Sequence, residues 1–212
     1  MTDNRMYDGD GPRDDRWVFT EENPDRALRV AAGLAAAARV LRDENPALAE
    51  ECLKTALTVW DDENENARAG ARIIALSELI LTTADRTLIE SFIGLKEEII
   101  QSIGRNGWIV GRVIHRIPDE QFKKDISAAV GEHMADLKAA SKTDSPYGVP
   151  YRPNIWGAGW TIQRFGVEQY FFHKAWPEHG SEDFFLNALN FVLGVHPGEN
   201  TASFASGVGS RS

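Results

Sequence analysis

The stretch Asn23-Pro24-Asp25-Arg26-Ala27-Leu28-Arg29-Val30-Ala31-Ala32-Gly33-Leu34-Ala35-Ala36-Ala37-Ala38-Arg39-Val40-Leu41 sets the architecture. Asparagine before proline marks a helix start. The asparagine side chain can cap free backbone N–H groups, and proline fits the first turn because its missing N–H is not needed there. Val30, Leu34, Ala37 and Leu41 then recur at i, i+4, i+7 and i+11, which predicts one apolar helical face. The run Ala35 to Ala38 lets a neighbouring helix approach closely. Gly33 costs ~1 kcal/mol against alanine in a helix interior, so its presence predicts tight packing at that point.

The same start signal returns at Asn45-Pro46, with Leu53, Ala56, Leu57 and Trp60 as the apolar face of a second helix. A polar turn, Asp61 to Asn66, leads to a third helix carrying Ile73, Leu76 and Ile80. A fourth follows Asp85 with Leu88, Phe92, Leu95 and Ile99. Gly104-Arg105-Asn106-Gly107 breaks the pattern, and Trp108 to Ile117 is expected as strand or irregular chain. Beyond Pro118, Phe122, Ile126, Ala129 and Leu137 predict a fifth helix. A loop rich in Pro, Gly and Ser spans 141–153. A sixth helix runs from near Gly157 to Ala175, and a seventh carries Phe185, Leu189 and Val192 and stops at Gly194. Strand patterns are almost absent, so the chain is expected to be all-α. Short connections make successive helices antiparallel neighbours. This rhythm suits a closed toroid of helical hairpins and a helical solenoid equally.

Composition narrows the function classes. Formal charge is −9 over 212 residues, which disfavours nucleic-acid phosphates and anionic membranes as partners. No apolar run approaches the ~20 residues needed to span a bilayer. The N-terminus has no apolar signal core. Cys52 is a lone thiol, unable to form an internal disulfide or a cysteine metal cluster, and is expected as small buried filler. The histidines His115, His133, His173, His179 and His196 lack the i,i+4 ligand spacing with a helical glutamate. No serine sits in a nucleophile elbow, and Gly207-Val208-Gly209 has no lysine or helix start after it, as a phosphate loop requires. No cofactor or metal is expected.

The last third carries the functional signal. It reads Asn154-Ile155-Trp156-Gly157-Ala158-Gly159-Trp160, then Leu189-Asn190-Phe191-Val192-Leu193-Gly194-Val195-His196-Pro197-Gly198, then Ser203-Phe204-Ala205-Ser206-Gly207-Val208-Gly209. Trp-Gly, Leu-x-Phe-x-Leu-Gly-x-x-Pro and Ser-Phe-x-x-Gly-x-Gly, in that order, resemble the C-terminal half of glycoside hydrolase family nine, the inverting cellulases and related β-glucanases. Val18-Phe19-Thr20-Glu21-Glu22-Asn23-Pro24 and Ala71-Arg72-Ile73-Ile74-Ala75-Leu76-Ser77-Glu78-Leu79 are similar to earlier segments of that family. The resemblance covers most of the chain from about Trp17. It implies an (α/α)6 toroid of antiparallel helical hairpins, incomplete in this chain. Residues 1–212 would be part of the catalytic domain, with 1–22 a loop-rich opening segment and 195–212 a truncated loop on the active-site side.

Inverting hydrolysis needs two carboxyl groups about 6.5–9.5 Å apart, one acid and one base. The family's base lies in an Asp-Ala-Gly-Asp motif that this chain lacks, and its acid is a glutamate beyond the Ser-Phe-x-x-Gly-x-Gly loop. The resemblance therefore assigns no catalytic residue here. Asp14-Asp15 is expected as a solvated acidic loop, and neither Glu168 nor Glu199 is assigned the acid's role. Binding remains. Sugars present apolar C–H faces to aromatic rings, and Trp156, in the matching Trp-Gly, is the expected stacking platform. Tyr151 and Arg152 would line the same groove. Where the family carries His-His-Arg after its glycine loop, this chain has Ser210-Arg211-Ser212, leaving Arg211 as a partial substitute. Trp160 is expected as core filler.

The implied function is a fragment of an inverting β-glucan hydrolase, supplying part of the substrate groove and inactive alone. Its implied partners are a β-linked glucan and the remainder of the parent catalytic domain. The parent is expected to be secreted or periplasmic, though no compartment follows from this chain. Alternatives from other classes are a non-catalytic helical module that binds glycans or proteins, and a different (α/α)6 enzyme such as a sugar epimerase or unsaturated-uronyl hydrolase.

Overall fold

A computed structural model describes residues 22–143, 148–150 and 158–195, together with residues 203, 205, 207 and 208. The described residues are all-α, with no strand among them. The helices are α1 (Pro24–Leu41), α2 (Pro46–Glu63), α3 (Ala69–Thr83), α4 (Arg86–Ile93), α5 (Lys96–Gln101), α6 (Ile103–Val113), α7 (Glu120–Ala140), α8 (Ala158–Ala175) and α9 (Glu182–Val192). Both asparagine caps form as expected. Asn23 accepts from the Arg26 N–H at 3.0 Å, and Asn45 from the Leu48 N–H at 3.2 Å. Gly194 ends α9 with φ of 79°, the left-handed turn that glycine adopts at no steric cost.

The helices alternate between two layers. α1, α3, α6 and α8 pack side by side in one row. Paired contacts give their directions. Asp25, at the start of α1, accepts from the backbone N–H of Arg68 at the start of α3, at 2.8 Å. Near the other ends, Arg39 of α1 reaches Glu78 and Thr82 of α3. So α1 and α3 run parallel. α6 runs parallel to α3, because Gly70 lies against Asn106 and Glu78 pairs with Arg112. α8 follows α6 in the same sense, Gly107 meeting Phe172 and Gly111 meeting Ala175. The other helices are the returns. α2 covers α1, α4 and α5 pack on α3, α7 packs on α5 and α6, and α9 packs on α8. α9 is antiparallel to α8: His173 lies near Glu182, and Gly166 against Ala188.

The row has a polar pin. Glu78, 8 % exposed, receives Arg39 at 2.7 Å and Arg112 at 2.6 Å. Arg39 also donates to the Thr82 hydroxyl at 2.7 Å. The single proton of that hydroxyl is shared between the carbonyls of Ala35 and Glu78, each at 2.8 Å. α3 is accordingly buried almost all round, through Ile73, Ala75, Leu76, Leu79 and Ile80.

Several expectations are corrected. In α1 the buried residues are Leu28, Ala31, Ala32, Ala35 and Ala38; of the expected face only Leu34 packs against the core, partly buried, and Val30 is 55 % exposed. A helix wedged between α2 and α3 buries its narrow alanine side, because small side chains let the axes approach. The alanine run does pack closely, but Gly33 does not: a Cβ there would meet nothing within 4 Å. Tight glycines do occur in α6, where a break and then strand or irregular chain were expected. A Cβ on Gly107 would lie 2.7 Å from the Phe172 ring, and one on Gly111 would lie 3.0 Å from Ala175. These glycines admit α8, and that contact outweighs their poor helix propensity. The fourth predicted helix keeps its buried residues Leu88, Phe92, Leu95 and Ile99 but is divided into α4 and α5 at Gly94-Leu95. In α7, Val130 and Met134 complete the buried face with Phe122 and Ile126. In α9 the buried face is Phe184, Ala188 and Phe191, while Phe185, Leu189 and Val192 line an open groove. Cys52 is only half-buried.

Two contrasts test this packing by urea denaturation. Glu78→Ala strips a buried carboxylate from two guanidiniums and should cost ~3 kcal/mol. Glu90→Ala, which removes only the exposed Arg86 pair, should cost under ~0.5 kcal/mol. Gly107→Ala should destabilise by ~1–3 kcal/mol through overpacking, whereas Gly33→Ala should stabilise by ~0.5–1 kcal/mol.

Candidate functional site

The four nominated residues, Tyr151, Arg152, Trp156 and Arg211, lie outside the described residues. The described residues that flank their segments converge on one place. Val149, 1 % exposed, packs with Ile162 of α8 and with Ala188 and Phe191 of α9. Ser203 donates from its hydroxyl to the Val192 carbonyl, at the end of α9, at 3.2 Å. Because α9 is antiparallel to α8, the end of α9 and the start of α8 share one end of the bundle. It is the end at which α1, α3, α6 and α8 all begin.

A cavity of about 490 Å³ opens there, between the first turns of α6 and α8. Arg105, Pro150, Trp160, Arg164, Phe165 and Glu168 line it. Trp160 is 80 % exposed, which overturns the expectation that it fills the core. Ile162 and Phe172 occupy the buried side of α8, so the tryptophan two residues before Ile162 is turned outward. Trp160, Arg164 and Glu168 are spaced i, i+4 and i+8, which puts them on one stripe of the helix. Arg164 donates to Glu168 at 2.7 Å. The Glu168 side chain is only 15 % exposed. Burial raises its pKa above the ordinary carboxylate value, and the Arg164 bond offsets this only in part. The i,i+4 spacing of Arg164 and Glu168 was visible in the sequence, but nothing in it distinguished this pair from an ordinary surface pair.

The cavity offers an apolar plate, guanidinium donors and a carboxylate acceptor, the contact types a sugar ring uses. It holds one carboxylate among the described residues, so the acid–base pair of inverting hydrolysis is not assembled there. Other constellations are structural. Ser127 lies 3.1 Å from His179 Nε2, but Glu178 approaches that same nitrogen at 3.7 Å. A hydrolytic triad needs the carboxylate on the opposite ring nitrogen. A second cavity, of about 510 Å³, holds Arg39, Arg112 and Lys174 at the far end of the row. Each of these stands in the last turn of its helix, where a cation complements the terminal carbonyls. No cluster of three metal-ligating side chains occurs among the described residues, and no helix there is long and apolar enough to cross a membrane.

Compared with protein families, curated proteins and solved structures, the chain matches none.

The shift at Glu168 has a sign that can be checked. The folded state holds the proton more tightly than the unfolded chain, whose carboxyl titrates near ~4.3. Glu168 therefore favours folding below that pH and loses this contribution as pH rises through its folded value. Glu168→Gln should leave stability near pH 4 unchanged and raise it progressively toward pH 7 relative to wild type, followed by urea midpoints across that range.

Proposed function

We propose that this chain is an arc of an (α/α)6 toroid from an inverting β-glucan hydrolase, supplying part of the wall of the substrate groove. The observation that carries it is the arrangement of the row. Four parallel helices, each followed by a return helix or, after α3, by the short pair α4 and α5, suit the hairpin unit from which six would close a ring. The row is open at both edges. At one edge α1 exposes Val30 and Val40, at 55 % and 75 %. At the other, Val167, Tyr170, Phe185 and Leu189 line an apolar groove of about 420 Å³ between α8 and α9. Uncovered apolar surface costs ~25 cal/mol per Å², so these edges suit neighbouring hairpins of the same domain.

The Trp160 cavity supports a saccharide ligand. It opens at the end of the row to which the segments carrying the family-like motifs are tied through Val149 and Ser203. In this reading Trp156 and Trp160 offer stacking faces, Tyr151, Arg152, Arg164 and Arg211 offer hydrogen bonds, and both catalytic carboxylates belong to the rest of the parent domain. The Asp-Ala-Gly-Asp motif is absent from the chain, and the cavity has a single carboxylate.

Calorimetric titration with cellotetraose tests this. Weak binding is expected, reduced about five- to twelvefold by Trp156→Ala or Trp160→Ala, since a lost aromatic platform removes ~1–1.5 kcal/mol. No hydrolysis should accompany it. Absence of binding, or binding indifferent to both tryptophans, would refute the glycan assignment, and hydrolysis by the chain alone would refute the placement of the carboxylates.

A further inference from the structure

Arg105 breaks a local rule. It stands in the first turn of α6, whose N-terminal partial positive charge disfavours a cation. That turn holds no acidic residue, and Ser102 makes no side-chain cap bond to it. Arg105 is exposed, and its guanidinium has no carboxylate partner among the described residues, although it lines the Trp160 cavity. The other arginines lining the described cavities each have a carboxylate partner: Arg39 and Arg112 share Glu78, and Arg164 has Glu168. Among the charged residues lining this cavity, Arg105 and Arg164 give +2 and Glu168 gives −1, a formal excess of +1. The chain as a whole carries −9, so the cavity departs locally from the sign of the molecule. Departures of this kind, without a compensating contact, are expected where a ligand supplies the missing group.

We infer that this cavity takes a saccharide unit bearing a carboxylate, its ring on the exposed face of Trp160 and its anionic group on Arg105. The inference rests on the reading of this cavity as a glycan site and departs from a pure glucan there: the β-linked chain carries a uronic acid at this position. The two lining elements divide the work. α8 supplies the apolar plate and, through Arg164 held by Glu168, a fixed donor for a ring hydroxyl. α6 supplies the uncompensated charge. A neutral glucose unit would use the first set and leave the second unmet.

Parallel titrations of the 212-residue chain with cellotetraose and with a β-1,4-linked tetraglucuronate, at low salt, test this. The tetraglucuronate should bind about fivefold more tightly, the size of one exposed ion pair, and that margin should collapse at ~0.5 M salt as the charges are screened. Arg105→Gln, a substitution at an exposed position, should abolish the margin, and Arg105→Lys should keep part of it. Trp160→Ala should weaken both ligands. Equal affinity of the two ligands, or a margin that survives Arg105→Gln, overturns the inference, yet leaves the glycan reading standing if cellotetraose binding still depends on the tryptophans. Binding of neither ligand overturns both.

Discussion

Glu78 has one carboxylate and receives two guanidiniums, Arg39 from α1 and Arg112 from α6. A carboxylate this buried is costly without partners. Both arginines stand in the last turns of their helices, so they reach Glu78 together only when α1, α3 and α6 run the same way with a shared register. The Arg112 guanidinium also lies 5.6 Å from the centre of the Phe171 ring, which extends the link to α8. Apolar burial supplies most of the driving force for collapse but is not directional. The Glu78 clamp selects one arrangement among the ways these helices could pack, and the parallel row depends on it.

From the parallel row follows a difference between the two ends of the bundle. At the finishing end, helix carbonyls gather, and Arg39, Arg112 and Lys174 complement them. At the starting end, backbone N–H groups gather, and the Trp160 cavity opens beside Arg105. The return α9 runs the other way and brings its terminal carbonyls to the starting end, where Ser203 donates to that of Val192. Close approach of α6 and α8 rests on Gly107 and Gly111, whose missing side chains make room for Phe172 and Ala175. The cavity lies just beyond that contact, toward the helix starts.

A site at the starting end of such a row is built from several elements at once. α6, α8 and the short segment at Val149 and Pro150 each contribute to its wall. Its aromatic plate is rigidly mounted, since Trp160 belongs to a helix whose other face is locked by Ile162 and Phe172. Its polar groups are less alike than their sequence suggests. Arg164 is tied to Glu168, whereas Arg105 is not tied to any carboxylate among the described residues. Apolar side chains stay exposed at α1, through Val30 and Val40, and in the groove between α8 and α9.

Much of the fold was legible in the chain. The Asn-Pro starts, the alternation of apolar periods with short turns, the absence of strand patterns and the Gly194 stop are local effects of capping, propensity and backbone sterics, and a single sequence displays them. The apolar faces of α2 and α3 were legible because large residues were involved. The α1 face was not, because alanines bury by virtue of being small and only the neighbouring helices reveal that. The glycines of α6 read as a break for the same reason: their value lies in Phe172 and Ala175, more than sixty residues away. Trp160 could be placed on a helix but not on a side of it. Glu168 looked like any surface carboxylate until burial raised its pKa. Sequence by itself thus determined most of the helical segments and their capped starts, but not α6 or the division between α4 and α5. Tertiary structure alone decided which faces meet, which charges are compensated and at which end of the row the Trp160 cavity opens, because those outcomes depend on contacts between residues far apart in the chain.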